Sequence, residues 1–129
     1  MQVRSVAASD VDAVHRLLLT NGWGHRFGDV EELGRLISAS QRAVVAVSGD
    51  EIVGFARAIT DGISNGYLSM VVVAELHRRR GIGQALVECL IGSEPNITWV
   101  LRAGRKGAAE FFDKLGFTPS TTAMERPRR

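Results

Sequence analysis

The sequence has one cysteine, Cys89, and three scattered histidines in 129 residues. A single cysteine cannot close an internal disulfide, and the histidines do not make up the missing ligands of a cysteine-based zinc site. We therefore expect neither a disulfide framework nor a metal. Cys89 shares helical spacing with apolar neighbours, so we interpret it as a core residue rather than a nucleophile.

Long apolar runs are also missing. The longest runs, such as Met70 to Ala74, fall far short of the roughly 20 residues that a helix needs to cross a bilayer. The first twenty residues include the charged side chains Arg4, Asp10, Asp12 and Arg16, so the apolar segment of a secretory signal is not found there. We expect a cytoplasmic protein without a membrane partner.

Charge of one sign is not in excess, because 16 basic and 14 acidic side chains give a net charge of +2. The arginines cluster at residues 78–80 and again near the end, where residues 125–129 are expected to form a solvated, frayed tail. Nucleic-acid binding needs a broad basic face with exposed aromatic residues. Only local basic runs are present, so we expect no nucleic-acid partner.

The overall composition is typical of a globular protein. Hydrophobic residues make up 45% and charged residues 23%, which excludes disordered, collagen-like and coiled-coil chains. A chain of this length has room for one hydrophobic core. We therefore treat residues 1–129 as a single domain.

Hydrophobic periodicity along the chain predicts alternating strands and helices. Helices are predicted at about residues 9–20, 29–38, 81–90 and 108–115. Strands are predicted at about residues 2–6, 43–47, 52–59, 67–73, 97–101 and 117–123. The element order β α α β β β α β α β indicates a mixed α/β sheet covered by helices.

The most informative segment is the predicted helix start at Gly81-Ile82-Gly83, directly after the arginines at residues 78–80. A helix N-terminus has unpaired N–H groups and about half a positive charge, so it can bind a phosphate group. Glycines let a pyrophosphate approach the backbone. A Walker loop is excluded because Gly83 is followed by Gln84, and the Rossmann fingerprint fails because Leu86 stands where its third glycine belongs.

Two motifs resemble those of the GNAT N-acyltransferase superfamily. Residues 78–83, Arg-Arg-Arg-Gly-Ile-Gly, match every fixed position of its acyl-CoA signature, Q/R-x-x-G-x-G/A. Residues 108–117 look like its second recurring segment, A-x-x-F-Y-x-K-x-G-F, with Phe112 in place of the tyrosine. The likeness covers about Val53 to Phe117, and it is nearest to the branch that holds plant plastid lysine and arylalkylamine acetyltransferases.

The resemblance implies a mostly antiparallel sheet of about six strands, with helices on both faces and a splay between the fourth and fifth strands. It also implies acetyl-CoA as cosubstrate, with its pyrophosphate on the loop before the helix and its pantetheine arm along the strand Tyr67 to Val73. The backbone N–H near Val71 would hold the developing oxyanion. The implied CoA-binding residues are Val71, Val72, Val73, Arg78, Arg79, Arg80, Gly81, Ile82, Gly83, Gln84, Phe111, Phe112 and Lys114.

The general base is harder to assign. An alkylamine with a pKa of about 10.4 is almost fully protonated near neutral pH, so a base would help. Many family members place a carboxylate on the strand before the CoA helix, but this chain has Tyr67, Ser69 and Met70 there. The candidates are Asp61, otherwise a turn former, His25, otherwise an exposed loop residue, and Tyr67, which would alternatively only orient a water.

The resemblance implies an N-acetyltransferase in which a primary amine attacks acetyl-CoA directly, with a small amine or a protein lysine as acceptor. Trp23 and Phe27 are candidates for an aromatic acceptor pocket, the alternative being that they pack on the core. We expect a monomer or a homodimer. The alternative function is a non-catalytic acyl-CoA-binding or sensing module, which the missing carboxylate and the missing tyrosine favour.

Overall fold

The computed structural model describes residues 1–24 and 27–129, which form five strands, four α-helices and two short 3-10 turns. The strands are β1 Gln2–Ser5, β2 Arg42–Ser48, β3 Glu51–Thr60, β4 Asn65–Val73 and β5 Thr98–Val100. The helices are α1 Val11–Thr20, α2 Val30–Ser38, α3 Ile82–Ile91 and α4 Ala108–Asp113. None of the helices within the described ranges combines the length and the hydropathy that a membrane crossing requires.

The strands form one sheet in the order β1-β2-β3-β4-β5. Three of the pairings are antiparallel, and β5 lies parallel to β4 because α3 carries the chain back across the sheet. The mixed, mostly antiparallel α/β sheet predicted from the sequence is therefore confirmed.

The strand predicted at residues 117–123 is not formed in the described structure, and that part of the prediction was wrong. The hydroxyl oxygen of Ser120 accepts hydrogen bonds from the backbone N–H groups of Thr122 at 3.1 Å and Ala123 at 2.9 Å. A side chain that binds its own backbone in this way competes with a sheet ladder. Pro119 also has no N–H to donate. The segment bends instead of extending.

Helices cover both faces of the sheet. The core on one face contains Leu86 and Leu90 from α3 together with Phe112 from α4. The core on the other face contains Leu18 from α1 and Leu33 from α2. The expectation of a sheet covered on both faces is confirmed.

Cys89 is exposed, so its interpretation as a core residue was wrong. Val87, which is 1% exposed, faces the core of α3 with Leu86 and Leu90. Both Cys89 and Val87 lie within one turn of Leu86 on the helix, so apolar periodicity alone does not decide between them.

The strand β4 carries a bulge at its centre. Val72 pairs with Phe55 of β3 and Ser69 pairs with Arg57, so β4 has an extra residue between the two pairs. Met70, within that stretch, has φ of +58°. A left-handed backbone is uncommon for a residue other than glycine, and a bulge bends the strand and turns its side chains.

The strands β4 and β5 separate after a short paired stretch. Their pairing runs only from Asn65 to Tyr67 on β4, opposite Thr98 to Val100 on β5. Beyond Tyr67, the bulged half of β4 has no neighbour on that side within the described residues. This confirms the splay expected between the fourth and fifth strands.

Candidate active site

The loop between β4 and α3 alternates in backbone handedness. Arg79 has φ of +66° and Gly81 has φ of +80°, whereas Arg78 and Arg80 have no positive φ. Turns that contain left-handed residues can point successive N–H groups to one side and so form a concave anion-binding site. The left-handed conformation costs a residue such as Arg79 about 1–3 kcal/mol, and such strain is concentrated at functional sites. The unpaired N–H groups of α3 begin directly after Gly81, its N-cap.

Arg78 is bound to the protein itself. Its Nε donates to the carbonyl oxygen of Val73 at 3.0 Å, and its Nη2 donates to Oδ1 of Asn21 at 2.8 Å. These bonds connect the loop to the end of β4 and to the end of α1. Arg78 therefore shapes the concave loop, while Arg79 and Arg80 remain exposed beside it.

An open cleft runs from this loop along β4 to α4. It is lined by every residue predicted to bind CoA except Arg80, and no acidic residue lines it in the described part of the chain. Cationic and apolar walls suit a ligand with phosphates at one end and a flexible arm at the other. The predicted residues that it brings together are Val71, Val72, Val73, Arg78, Arg79, Gly81, Ile82, Gly83, Gln84, Phe111, Phe112 and Lys114.

The two glycines of the motif do different work. A Cβ on Gly83 would lie 3.0 Å from Cζ of Phe111 and 3.7 Å from Cγ2 of Val73. Gly83 therefore lets the aromatic ring of α4 pack against α3. A Cβ on Gly81 would meet nothing within 4 Å, and the positive φ of Gly81 is the feature that requires glycine.

A second cavity, of about 220 Å³, lies in the splay between β4 and β5. It is lined by the bulged stretch of β4 from Tyr67 to Val71, by the chain after β5 and by α4. The first cleft and this cavity share five lining residues at the point where they meet. These are Trp23, Val71, Arg105, Ala108 and Phe112.

Arginines dominate the charge of the second cavity. Arg57, Arg102, Arg105 and Arg128 line it, and no carboxylate and no histidine line it among the described residues. Tyr67 is the other ionisable group in the lining. Even though Glu125 pairs with Arg102, the lining has an excess of positive charge, which the sequence did not indicate. The available signal was Arg57, a charge in the otherwise apolar stretch of β3 from Val53 to Ala58.

Asp61, one of the three candidate bases, is engaged in the turn between β3 and β4. Its carboxylate accepts hydrogen bonds from the hydroxyl of Ser64 at 2.7 Å and from the backbone N–H groups of Ser64 at 2.8 Å, Ile63 at 2.8 Å and Asn65 at 3.1 Å. These bonds, the hydroxyl of Ser64 first, hold the pKa of Asp61 well below its usual range. Asp61 lines neither the cleft nor the cavity.

The other two candidate bases are placed differently. Tyr67 lines the second cavity and is half-buried, at the position where β4 leaves β5. His25 lies outside the described residues. Val71, the candidate oxyanion donor, lies on the bulge of β4 at the junction of the cleft and the cavity.

The aromatic residues of the loop after α1 have separate positions. Trp23 lines both the cleft and the cavity. Phe27 packs against the core under α1 and α2, with its ring centroid 5.3 Å from that of His15. Trp23 also packs against that core. The core position that was the alternative therefore applies to both residues, and Trp23 in addition lines the two spaces.

The basic tail returns to the second cavity. Glu125 forms an ion pair with Arg102, with Oε2 2.9 Å from Nε, and Arg128 lines the cavity. The tail is exposed, as a solvated segment should be, and it nevertheless places one more positive charge at the site.

Comparison with known proteins agrees with this geometry. The sequence profile of the acetyltransferase (GNAT) domain matches residues 39–119, well over half of the chain. The stretch contains β2, β3, β4, β5, α3 and α4, the elements around the cleft and the cavity. The chain therefore belongs to the GNAT acetyltransferase family.

Three relatives illustrate the likeness. The chain is 33% identical over 95 residues to a PanD regulatory factor from Salmonella typhimurium, covering 70% of this chain and 74% of the relative. A GNAT family acetyltransferase from Streptococcus pneumoniae shares the fold with a TM-score of 0.79 at 22% identity, covering 99% of this chain and 96% of that one. An aminoglycoside 6'-N-acetyltransferase complexed with coenzyme A has a TM-score of 0.60 at 32% identity, over 69% of this chain and 52% of its own.

Proposed function

We propose that the protein is an N-acetyltransferase that transfers the acetyl group of acetyl-CoA to a primary amine by direct attack. The observation that carries this proposal is the junction of the cleft and the cavity at Val71 and Phe112. Two reactants that enter from opposite sides of the splay would meet there. Holding both reactants in place removes much of the entropic cost of a bimolecular reaction.

The concave loop and the start of α3 would bind the CoA pyrophosphate. The N–H groups of residues 79–84 would donate hydrogen bonds, and Arg79, Arg80 and Lys114 would add positive charge. The aminoglycoside acetyltransferase that shares 32% identity with this chain is complexed with coenzyme A, which supports CoA as the ligand of this cleft.

The bulged half of β4 would hold the pantetheine arm. Its backbone groups on the β5 side have no strand partner within the described residues, and buried backbone groups need partners. The amides of a pantetheine arm supply them. The N–H of Val71 would then donate to the thioester carbonyl and stabilise the oxyanion that develops on it.

Nucleophilic attack needs the neutral amine. The four arginines of the cavity disfavour a further positive charge, so they lower the pKa of an amine that enters. Tyr67 is the candidate base that lines the cavity, and it would position the amine or a water that takes the proton. The reaction forms the C–N bond, breaks the C–S bond and leaves the proton on the released thiol.

A steady-state assay tests this proposal. The protein would be given acetyl-CoA with a panel of primary amines, and free thiol would be measured against acetyl-CoA alone. Amine-dependent thiol release at a rate that Tyr67→Phe lowers supports the proposal. Acetyl-CoA binding without amine-dependent release from any member of the panel would contradict it.

A second candidate function is a CoA-binding regulator of another protein. Its specific support is the 33% identity to a factor named for the regulation of PanD, together with the absence of a carboxylate from the described cavity lining. If the protein is such a regulator, acetyl-CoA should change its affinity for a protein partner. Titration with PanD, with and without acetyl-CoA, measures that coupling directly.

A further inference from the structure

The guanidinium of Arg57 is buried without an acidic partner. Arg57 is 8% exposed, and its hydrogen-bond partner is Oγ of Ser40, 3.2 Å from Nη1. Its Nε has no hydrogen-bond partner within the described residues. No ion pair there includes Arg57. A buried charge that lacks both an opposite charge and its full set of hydrogen bonds is costly to the folded state.

Arg57 faces the second cavity from its floor. Its Cα pairs with that of Ser69 on β4, directly before the bulge at Met70, and all three residues line the cavity. Burial lowers the pKa of Arg57, and the nearby Tyr67 opposes that change. An arginine side chain nevertheless keeps its charge in proteins. The cavity therefore has a fixed cation at its floor, and Nε of this planar guanidinium is a buried donor without a partner among the described residues.

Further arginines surround the mouth of the same cavity. Arg102, Arg105 and Arg128 come from three different parts of the chain, after β5, before α4 and in the tail. Arg102 is paired with Glu125, and the described residues form no ion pair with Arg105 or Arg128. A positively charged amine alone is a poor fit for such surroundings, because like charges repel. A molecule that also carries an anion compensates the buried cation.

We propose that this cavity binds a carboxylate and that the unpaired donors of the Arg57 guanidinium recognise it. The acceptor is accordingly an amine that also bears a carboxylate. The assignment of the carboxylate to the acceptor rests on the proposed N-acetyltransferase function, whereas carboxylate binding does not. A carboxylate is the planar group that an arginine fork matches in two parallel hydrogen bonds. Two sources supply this chemistry, a free amino acid and the C-terminus of a polypeptide.

The test is binding in the absence of turnover. Calorimetric titrations onto protein saturated with CoA, which has no acetyl group to transfer, would compare glycine, L-leucine and L-glutamate with their α-carboxamides. A second arm would compare the tripeptide Ala-Ala-Leu with its C-terminal amide. We expect at least one carboxylate to bind about tenfold more tightly than its amide, because the amide loses the charge-assisted hydrogen bonds.

The two arms distinguish the source of the carboxylate. A preference confined to the free amino acids assigns a small acceptor, and one confined to the tripeptide assigns a chain terminus. Either result supports the proposal. The absence of a carboxylate preference in every pair, whether both members bind equally or neither binds, overturns it.

Variants of Arg57 connect the preference to this residue. Arg57→Met keeps an unbranched apolar stem and removes the charge and the donors, and it should abolish the preference. Arg57→Lys keeps the charge without the planar fork and should retain part of the preference. Arg16→Met, at an exposed position of α1 away from the cavity, makes the same replacement as a control. Thermal melting verifies folding of each variant, and an unchanged preference in folded Arg57→Met contradicts the proposal.

Failure of this inference is distinguishable from failure of the proposed function. Carboxylate binding without amine-dependent thiol release would leave the inference standing and remove the acetyltransferase activity. Equal rates with amines that carry a carboxylate and with amines that lack one would support the acetyltransferase activity and remove the assignment of the carboxylate to the acceptor.

Discussion

The guanidinium carbon of Arg105 lies 4.2 Å from the ring centroid of Trp23. Nη2 of Arg105 also donates to the carbonyl oxygen of Gly22 at 2.8 Å. These contacts connect the loop before α4 with the loop after α1, above the point where the cleft meets the cavity. The pair therefore forms part of the lining that the cleft and the cavity share.

Replacing Arg105 should weaken the contact between these two loops and, with it, the binding of acetyl-CoA. In Arg105→Gln the stacked cation is lost, and an exposed cation–π contact is worth about 0.5–1 kcal/mol. We expect the dissociation constant of acetyl-CoA to rise about two- to fivefold, measured by calorimetry. Arg16→Gln, which removes an exposed charge elsewhere, is the matched control. Equal affinity of the parent and Arg105→Gln would show that acetyl-CoA binding does not depend on the contact between Arg105 and Trp23.

A second prediction concerns Gly83, and its physical reason is the close approach of Phe111 to this position. A valine there collides with Phe111, so α4 must shift away from α3. Because α4 carries part of both the cleft and the cavity, we expect Gly83→Val to weaken acetyl-CoA binding about tenfold or more and to lower the melting temperature as well. The double variant Gly83→Val with Phe111→Ala relieves the collision and should regain part of the affinity. If it regains none, valine acts by blocking the pyrophosphate directly.

A third prediction concerns the contribution of Asp61 to stability and to activity. Its four hydrogen bonds hold the turn between β3 and β4, so Asp61→Asn should lower the melting temperature and change kcat/KM by less than about threefold. The pKa of Asp61 is depressed in the folded state. Its contribution to stability is therefore present above the ordinary carboxyl pKa of about 4 and is lost as the pH falls through the depressed value. A loss of kcat/KM of about 10² would instead restore Asp61 as the base.

The loop before α3 shows what sequence alone predicts well. Residues 78–83 combine a strand end, clustered arginines and glycines within a few positions, and each of these signals is local. The helices, five of the six predicted strands and the cleft residues follow from patterns of the same short range. The backbone handedness of Arg79 was not predicted, because a left-handed arginine has no sequence signal of its own.

The arginines of the second cavity show why the remainder was missed. Arg57 lies in β3, Arg105 before α4 and Arg128 in the tail, so only tertiary structure brings them together. The bulge at Met70 sets which side chains of β4 face the cavity, and strand periodicity cannot place a bulge. Ser120, which bends the segment predicted as a sixth strand, acts through a side-chain contact that competes with the apolar pattern.

A fourth prediction concerns the ion pair between Asp10, which is buried, and Arg4, whose side chain is partly exposed. The carboxylate of Asp10 accepts from Nη1 of Arg4 at 2.7 Å, from Nη2 at 3.0 Å and from the N–H of Ala7 at 2.7 Å. Asp10 is 7% exposed, so Asp10→Asn leaves part of this set unpaired and should lower the unfolding free energy by about 1–3 kcal/mol. Denaturant unfolding measures the change, with Asp50→Asn at an exposed turn as the control.

The same pair predicts a pH dependence. Arg4, chiefly through its hydrogen bond, lowers the pKa of Asp10 in the folded state. The stabilisation is therefore complete above the unfolded carboxyl pKa of about 4 and declines as the pH falls through the lower folded value. Asp10→Asn should show a shallower loss of stability than the parent protein as the pH falls below the unfolded carboxyl pKa of about 4. Parallel pH profiles for the two would contradict this assignment.

The last prediction concerns Phe112, which stands where the family motif has a tyrosine. Phe112 is 9% exposed and packs edge-on against Phe111, with ring centroids 4.9 Å apart. It also lines both the cleft and the cavity at their junction. A thiol of pKa about 8.5 leaves readily, so we expect the protein to transfer acetyl groups without a tyrosine acid.

Phe112→Tyr separates the packing role from the catalytic one. If the ring edge reaches the departing sulfur, the added hydroxyl protonates the thiolate, and kcat should rise a few fold where departure limits the rate. If the ring edge faces only the core, the hydroxyl is buried unpaired and unfolding becomes easier by about 1–3 kcal/mol. Phe117→Tyr is the control, because Phe117 packs 5.6 Å from Phe112 but lines neither space. A lower melting temperature with unchanged kcat in Phe112→Tyr would remove Phe112 from the site, since a hydroxyl beside the sulfur would face the cavity instead of the core.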